Sequence, residues 1–96
     1  LGEARKRAVV EKKVRITNKL GLHARPAAML VKAAGEFESD VSIVKDDMEV
    51  NAKSIMGVMM LAAERGSTLT IRAEGSDQEK AVKALVKLVE SKFDED

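Results

Sequence analysis

Cysteine, tryptophan and tyrosine are missing from this chain, proline occurs once and phenylalanine twice. Without thiols there are no disulfides, no thiolate nucleophile and none of the usual structural zinc sites, a pattern compatible with a reducing cytosol. Aromatic platforms for stacking bases are scarce. An excess of one charge is lacking too: 17 basic and 16 acidic residues leave a net charge of +1, not the broad basic footprint of a nucleic-acid binder. Nucleic acid is therefore not an expected partner. One histidine without cysteine offers no ordinary metal-ligand set, so neither metal nor cofactor is expected. No apolar run approaches the roughly 20 residues that cross a bilayer, and no signal-peptide core is seen, which excludes membrane insertion and points to a cytoplasmic protein.

What is there fits one two-layer core. The 96 residues read as a single domain, 1–96, with residues 1–10 as a mobile lead-in. The start at Leu1 instead of methionine suggests an N-terminus that was trimmed, engineered or cut from a longer chain. From Glu11 to Asn18, Val14 and Ile16 alternate with Lys13, Arg15 and Thr17, the period of a half-buried strand. Ala27, Leu30, Val31 and Ala34 form a helical stripe over 24–34, with Gly35 as its stop. Val41 and Ile43, then Met48, Val50 and Ala52, predict two strands around a turn at Asp46-Asp47. Ser54 opens a second helical segment reaching about Arg65, closed by Gly66, and Leu69, Ile71 and Ala73 mark a fourth strand. Ser76-Asp77-Gln78-Glu79 has the form of a capping box for a last helix. That helix carries Val82, Leu85, Leu88 and Val89 on one side, and Lys80, Lys83, Lys87 and Glu90 on its solvated side. Strands wet on one face require the helices on the other, which gives an α+β sandwich in the order β-α-β-β-α-β-α.

The chemistry concentrates in Gly21-Leu22-His23-Ala24-Arg25-Pro26-Ala27, where a strand-like segment gives way to a helix. Proline is tolerated in a first helical turn, where N–H groups have no intrahelical partner. Those N–H groups, the positive end of the helix dipole and Arg25 would surround His23 as a small anion pocket around a nucleophile. A neutral imidazole nitrogen attacks phosphorus directly, and the phosphoramidate anion would be held by the same groups. The plain alternative is a surface or satisfied histidine beside an exposed arginine. Ser54 is first a helix N-cap, and a phosphate placed there would be tolerated while adding about −1.5 to −2 of charge. Ile55, Met56, Val58, Met59, Met60 and Leu61 surround a short helix with apolar side chains, although only one side can rest on a sheet. The remainder is either deeper core or an adaptable docking surface.

Leu22-His23-Ala24-Arg25-Pro26-Ala27, followed about thirty residues on by Lys53-Ser54-Ile55-Met56-Gly57-Val58-Met59, resembles the HPr family, the histidine-containing phosphocarriers of the bacterial phosphoenolpyruvate-dependent sugar phosphotransferase system. The resemblance runs from about Lys12 to Phe93. It implies an open-faced sandwich: a four-stranded antiparallel sheet covered on one face by three helices. It implies further that His23 is phosphorylated on Nδ1 by enzyme I and passes the group to enzyme IIA proteins or domains, so that the chain is a carrier and not an enzyme. Arg25 and the Ala24 N–H would assist at the phosphate. Ser54 would be the regulatory serine modified by HPr kinase/phosphorylase, with a catabolite-control transcription regulator as a further partner. Ile55, Met56 and Met59 match partner-contacting positions, and a monomer suffices. Leu20 and Asp46-Asp47 depart from the family pattern, and the N-terminal extension has no counterpart in it. Two other readings stand beside the carrier: a regulatory binding module controlled through Ser54 where the sugar relay is incomplete, and an unrelated ligand-binding sandwich with a structural histidine.

Overall fold

The structure, a computed structural model, describes residues 8–95. Residues 1–7 of the expected lead-in lie outside the described residues; Val10, the last of that stretch, is already paired with Ala73 in the sheet. The strands are β1 (Val10–Arg15), β2 (Asp40–Lys45), β3 (Met48–Asn51) and β4 (Thr68–Glu74). The helices are α1 (Ala24–Gly35), α2 (Ile55–Met60) and α3 (Gln78–Glu90), so the elements follow the order read from the sequence. A final single turn spans Lys92–Asp94. The sheet has the order β1-β4-β2-β3, and each neighbouring pair is antiparallel.

Strand parity sorts the side chains. Val14 faces Leu69 across β1 and β4, while Ile43 faces Ile71 and Val41 faces Ala73 across β2 and β4. All six are buried under the helices. On the open face Arg72 bridges Glu11 at 2.9 Å and Glu49 at 3.2 Å, and Glu49 also accepts the Ser42 hydroxyl. Polar side chains thus cover the solvent face, as expected for an antiparallel sheet with helices on one side only. Helix α3 buries Ala81, Val82, Leu85, Val86 and Val89, and α1 buries Pro26, Ala27, Leu30 and Ala34.

Two local expectations are corrected, the length of α2 and the cap of α3. Helix α2 stops at Met60 instead of reaching Arg65. Ala62 turns back with φ 48°, Leu61 and Ala63 go into the core, and the Ala63 carbonyl accepts Leu22 N–H at 2.8 Å. A tertiary hydrogen bond has replaced the next helical one. Helix α1 does end on Gly35, the residue read as its stop; Glu36 is the C-cap, with φ −80°, and its N–H reaches back three residues to the Ala33 carbonyl at 3.1 Å. The capping box is absent, because the N-cap of α3 is Asp77 and it makes no side-chain bond to its own helix. Its carboxylate reaches across the fold, accepting the N–H groups of Glu38 and Ser39 at 3.0 Å each and the Ser39 hydroxyl. Gln78 takes the local role and accepts Gly75 N–H at 3.0 Å.

The Ser39 hydroxyl, followed by the Glu38 amide, holds the Asp77 carboxyl below the ordinary value of 3.8. A depressed folded-state value means that the ionised form stabilises the fold above the unfolded-state value, and that this stability is lost as pH falls toward the folded one. Asp77→Asn should therefore destabilise most near neutral pH. The gap to the unmodified protein, followed by urea unfolding, should close as pH drops through about 3.8 and below.

Candidate functional site

The site begins with a backbone constraint. Gly21 has φ +68°, and a Cβ placed there would lie 2.6 Å from the Ala63 carbonyl oxygen. Only glycine combines that conformation with that approach. The next residue, Leu22, is buried and gives its N–H to the same Ala63 carbonyl, and His23 follows as the N-cap of α1. Its backbone is extended, at φ −81° and ψ −172°, and its side chain does not cap the helix. The imidazole is therefore free to point elsewhere.

Helix α1 starts with two amides that have no intrahelical acceptor, those of Ala24 and Arg25. Pro26, in the third helical position, has no N–H, and Ala27 N–H already reaches the His23 carbonyl at 2.9 Å. The first helical turn holds no acidic residue. This is the arrangement that receives an anion: unpaired N–H donors at the positive end of a helix dipole, with nothing negative of its own in the turn. His23, Ala24 and Arg25 thus come together as the sequence proposed. The His23 side chain is 35% exposed and that of Arg25 60%, so the site is a shallow surface feature and not a pocket.

Two members of the cluster escaped the sequence reading. Glu95, in the last described stretch, places Oε1 3.0 Å from His23 Nε2 and Oε2 2.9 Å from an Arg25 guanidinium nitrogen. Asn18 Nδ2 donates to the same Oε1 at 3.0 Å and to the Gly21 carbonyl at 2.8 Å. Because both acceptors are oxygens, the amide orientation is fixed, and Asn18 Oδ1 is left enclosed with no hydrogen-bond partner. The carboxyl of Glu95 is held below its ordinary value of 4.5, first by the hydrogen bond from His23 and then by that from Asn18, with desolvation opposing and Arg25 adding a smaller contribution. It is an anion held by the Asn18, His23 and Arg25 side chains. What delivers it is the turn Lys92–Asp94, whose residues take φ 59°, 55° and 57° in succession. Left-handed conformations cost about 1–2 kcal/mol each for such residues, and the fully buried Phe93 ring anchors the turn against that cost.

A signal for Asn18 existed. It continues the inward parity of Val14 and Ile16, where a polar residue needs a reason. For Glu95 there was none, since it lies 72 residues from His23.

Ser54 belongs to a different element. It caps α2 by accepting Gly57 N–H at 3.1 Å, as its sequence position predicted. Of the α2 side chains only Val58 is buried. Ile55, Met56, Met59 and Met60 are exposed, Met56 at 72% and Met60 at 64%, and Leu20 ahead of the histidine is 72% exposed. The apolar surplus read around this helix is therefore at the surface.

The fold is thus an open-faced sandwich with a partly exposed imidazole at the mouth of its first helix. The sequence model of the family described as "PTS HPr component phosphorylation site" matches residues 10–91. The chain is 49% identical over 88 residues to the phosphocarrier protein HPr of Treponema pallidum, covering 92% of this chain and 100% of that one. It is 50% identical over 82 residues to the HPr-like protein Crh of Halalkalibacterium halodurans, covering 85% of this chain and 98% of the relative. The crystal structure of HPr-C-His from Thermoanaerobacter tengcongensis superposes with a TM-score of 0.88 at 52% identity, over 91% of this chain and 98% of that one. The chain belongs to the HPr family of phosphocarrier proteins of the phosphotransferase system. Among the described residues no helix is long and apolar enough to cross a membrane.

Gly21→Ala tests the constraint that places the histidine. It should cost about 1–3 kcal/mol of stability in urea unfolding, through the positive φ and the clash with Ala63 together. Amide shifts in the NMR spectrum should move for residues 18–25 and 61–65 and stay largely unchanged in α3.

Proposed function

We propose that this protein carries a phosphoryl group on His23 Nδ1, received from enzyme I charged by phosphoenolpyruvate and given to enzyme IIA proteins or domains in sugar uptake. The single observation that carries this reading is the pair of unpaired amides at the start of α1 beside an exposed imidazole with Arg25 one residue further on. Three phosphoryl oxygens on the ring nitrogen would find N–H donors, a helix dipole and a guanidinium within one turn. Arg25 would exchange its bond to Glu95 for the phosphate. A shallow, preformed anion site suits transfer in both directions, because the partner must bring its own residues to the in-line attack. The protein is thus substrate and donor in a relay in the cytoplasm, and acts as one domain and as a monomer.

Ser54 is proposed as the site of regulatory phosphorylation by HPr kinase/phosphorylase. Its position at a helix N-cap tolerates a phosphate, and the added charge would sit beside Ile55, Met56 and Met59, which we assign to partner docking. A catabolite-control transcription regulator is a further partner for the serine-phosphorylated form. The match to an HPr-like protein Crh gives weight to a second reading, a regulatory module controlled through Ser54 alone. The exposed His23 at the unpaired amides favours the relay as the main role.

Incubation with phosphoenolpyruvate and enzyme I, followed by site mapping, should place an acid-labile phosphate on His23, and His23→Ala should abolish it; label retained at another residue refutes the assignment. Arg25→Ala should fold normally and transfer about tenfold or more slowly, on the scale of losing a charged contact made in the transition state. Ser54→Ala should remove acid-stable, kinase-dependent phosphorylation and cost about 1 kcal/mol of stability as a lost cap. If ATP and the serine kinase label Ser54 while enzyme I labels nothing, the regulatory reading replaces the relay.

A further inference from the structure

The carboxylate of Glu95 lies beyond residues 10–91, the span matched by the family. We propose that Glu95 is a positioning residue for His23: it holds the imidazole as the Nε2–H tautomer, and so makes Nδ1 the nucleophilic nitrogen. This inference rests on the carrier reading and names the group that chooses between the two ring nitrogens.

An ionised carboxylate has no hydrogen to give, so across the 3.0 Å contact the proton must belong to Nε2. A neutral imidazole carries one proton. Its lone pair is therefore on Nδ1. The carboxylate is itself kept in place from three directions, by Asn18 and His23 on Oε1 and by Arg25 on Oε2. Behind it, the buried Phe93 and three consecutive positive φ values set the direction in which Glu95 leaves the chain. With its side chain 18% exposed, the group is partly withdrawn from water, where its hold on one ring proton is stronger than at a free surface.

The transfer balances without moving a proton. The Nδ1 lone pair forms the N–P bond as the bond from phosphorus to the nitrogen of a phosphohistidine donor breaks, and the donor nitrogen keeps that electron pair. The acceptor ring now carries phosphate on Nδ1 and its original hydrogen on Nε2, so positive charge grows on the ring facing Glu95. The carboxylate stabilises that charge without becoming protonated, as the carboxylate behind a catalytic histidine does in hydrolytic triads. Donation to the next partner reverses each change. Arg25 can turn to the phosphate because Glu95 retains Asn18 and the ring N–H.

The test uses the full chain with ¹⁵N-labelled histidine. At a pH where the ring is neutral, NMR should show hydrogen on Nε2 and a bare Nδ1 in the unmodified protein, and a mixture of the two tautomers in Glu95→Ala. Single-turnover phosphorylation of His23 by enzyme I and phosphoenolpyruvate should fall about tenfold in Glu95→Ala, the scale on which a lost orienting hydrogen bond to a functional histidine acts. Glu95→Asp should recover part of both. Glu95→Gln, which keeps the shape, should slow transfer even with an unchanged amide spectrum, because the neutral amide does not offset the ring charge. An unchanged tautomer in Glu95→Ala overturns the proposal, and so does an altered tautomer with an unchanged rate. Should the unmodified chain accept no phosphate on His23, the carrier reading fails by that result, and the tautomer measurement alone then decides whether Glu95 holds the ring.

Discussion

The approach of the Gly21-Leu22 backbone to Ala63 is the contact on which the functional end of this protein depends. It requires a residue without a side chain at Gly21, and it draws the Ala63 carbonyl out of helical geometry to receive Leu22 N–H. The same bond therefore ends α2 early and begins α1 where it does. Buried Leu22 then fixes the histidine at the surface by one peptide unit, since the residue after it must leave the core to start the helix. Neighbouring bonds from Ile16 N–H to the Ser67 carbonyl and from Gly66 N–H to the Ile16 carbonyl bind the same two segments further along. A loop held in this way presents its amides without needing to reorganise when a charged group arrives.

Near that contact the charges pair across the fold. Beside a helix mouth with unpaired amides stands the carboxylate of Glu95, which meets the His23 and Arg25 side chains and leaves those amides open. Arg25 bonds it, so the guanidinium has a partner before any phosphate is present. These bonds are partly exposed, which keeps their net strength modest and lets the arginine change partners rapidly. The two exposed features lie on different elements: the methionines belong to α2, while the imidazole belongs to the start of α1. In general, flexible apolar side chains suit adaptable surfaces, whereas binding of an anion calls for fixed donors.

Much of this was legible in order of residues alone. Alternation at Val14, Ile16, Val41, Ile43, Leu69 and Ile71 named the inner face of the sheet, and the stripes in α1 and α3 named the faces that cover it. His23, Arg25 and Pro26 announced a helix start, because the chemistry of a first turn is local. The errors came where a local rule met a distant partner. Asp77 has the composition of a cap, yet its carboxylate serves the loop before β2, where two backbone amides and a hydroxyl converge on it. The apolar continuation toward Arg65 looked helical until Leu22 claimed the Ala63 carbonyl.

By itself, then, the sequence determined the sandwich, the exposed side of each strand and the position of the histidine at a helix mouth, since periodicity and first-turn chemistry act over a few neighbouring residues. Only the tertiary structure decided which nitrogen of that histidine meets a carboxylate and which carboxylate it meets. That choice depends on bringing Asn18, His23, Arg25 and Glu95 to within hydrogen-bonding distance, and no residue spacing records a meeting that a buried Phe93 and a left-handed turn produce across the fold.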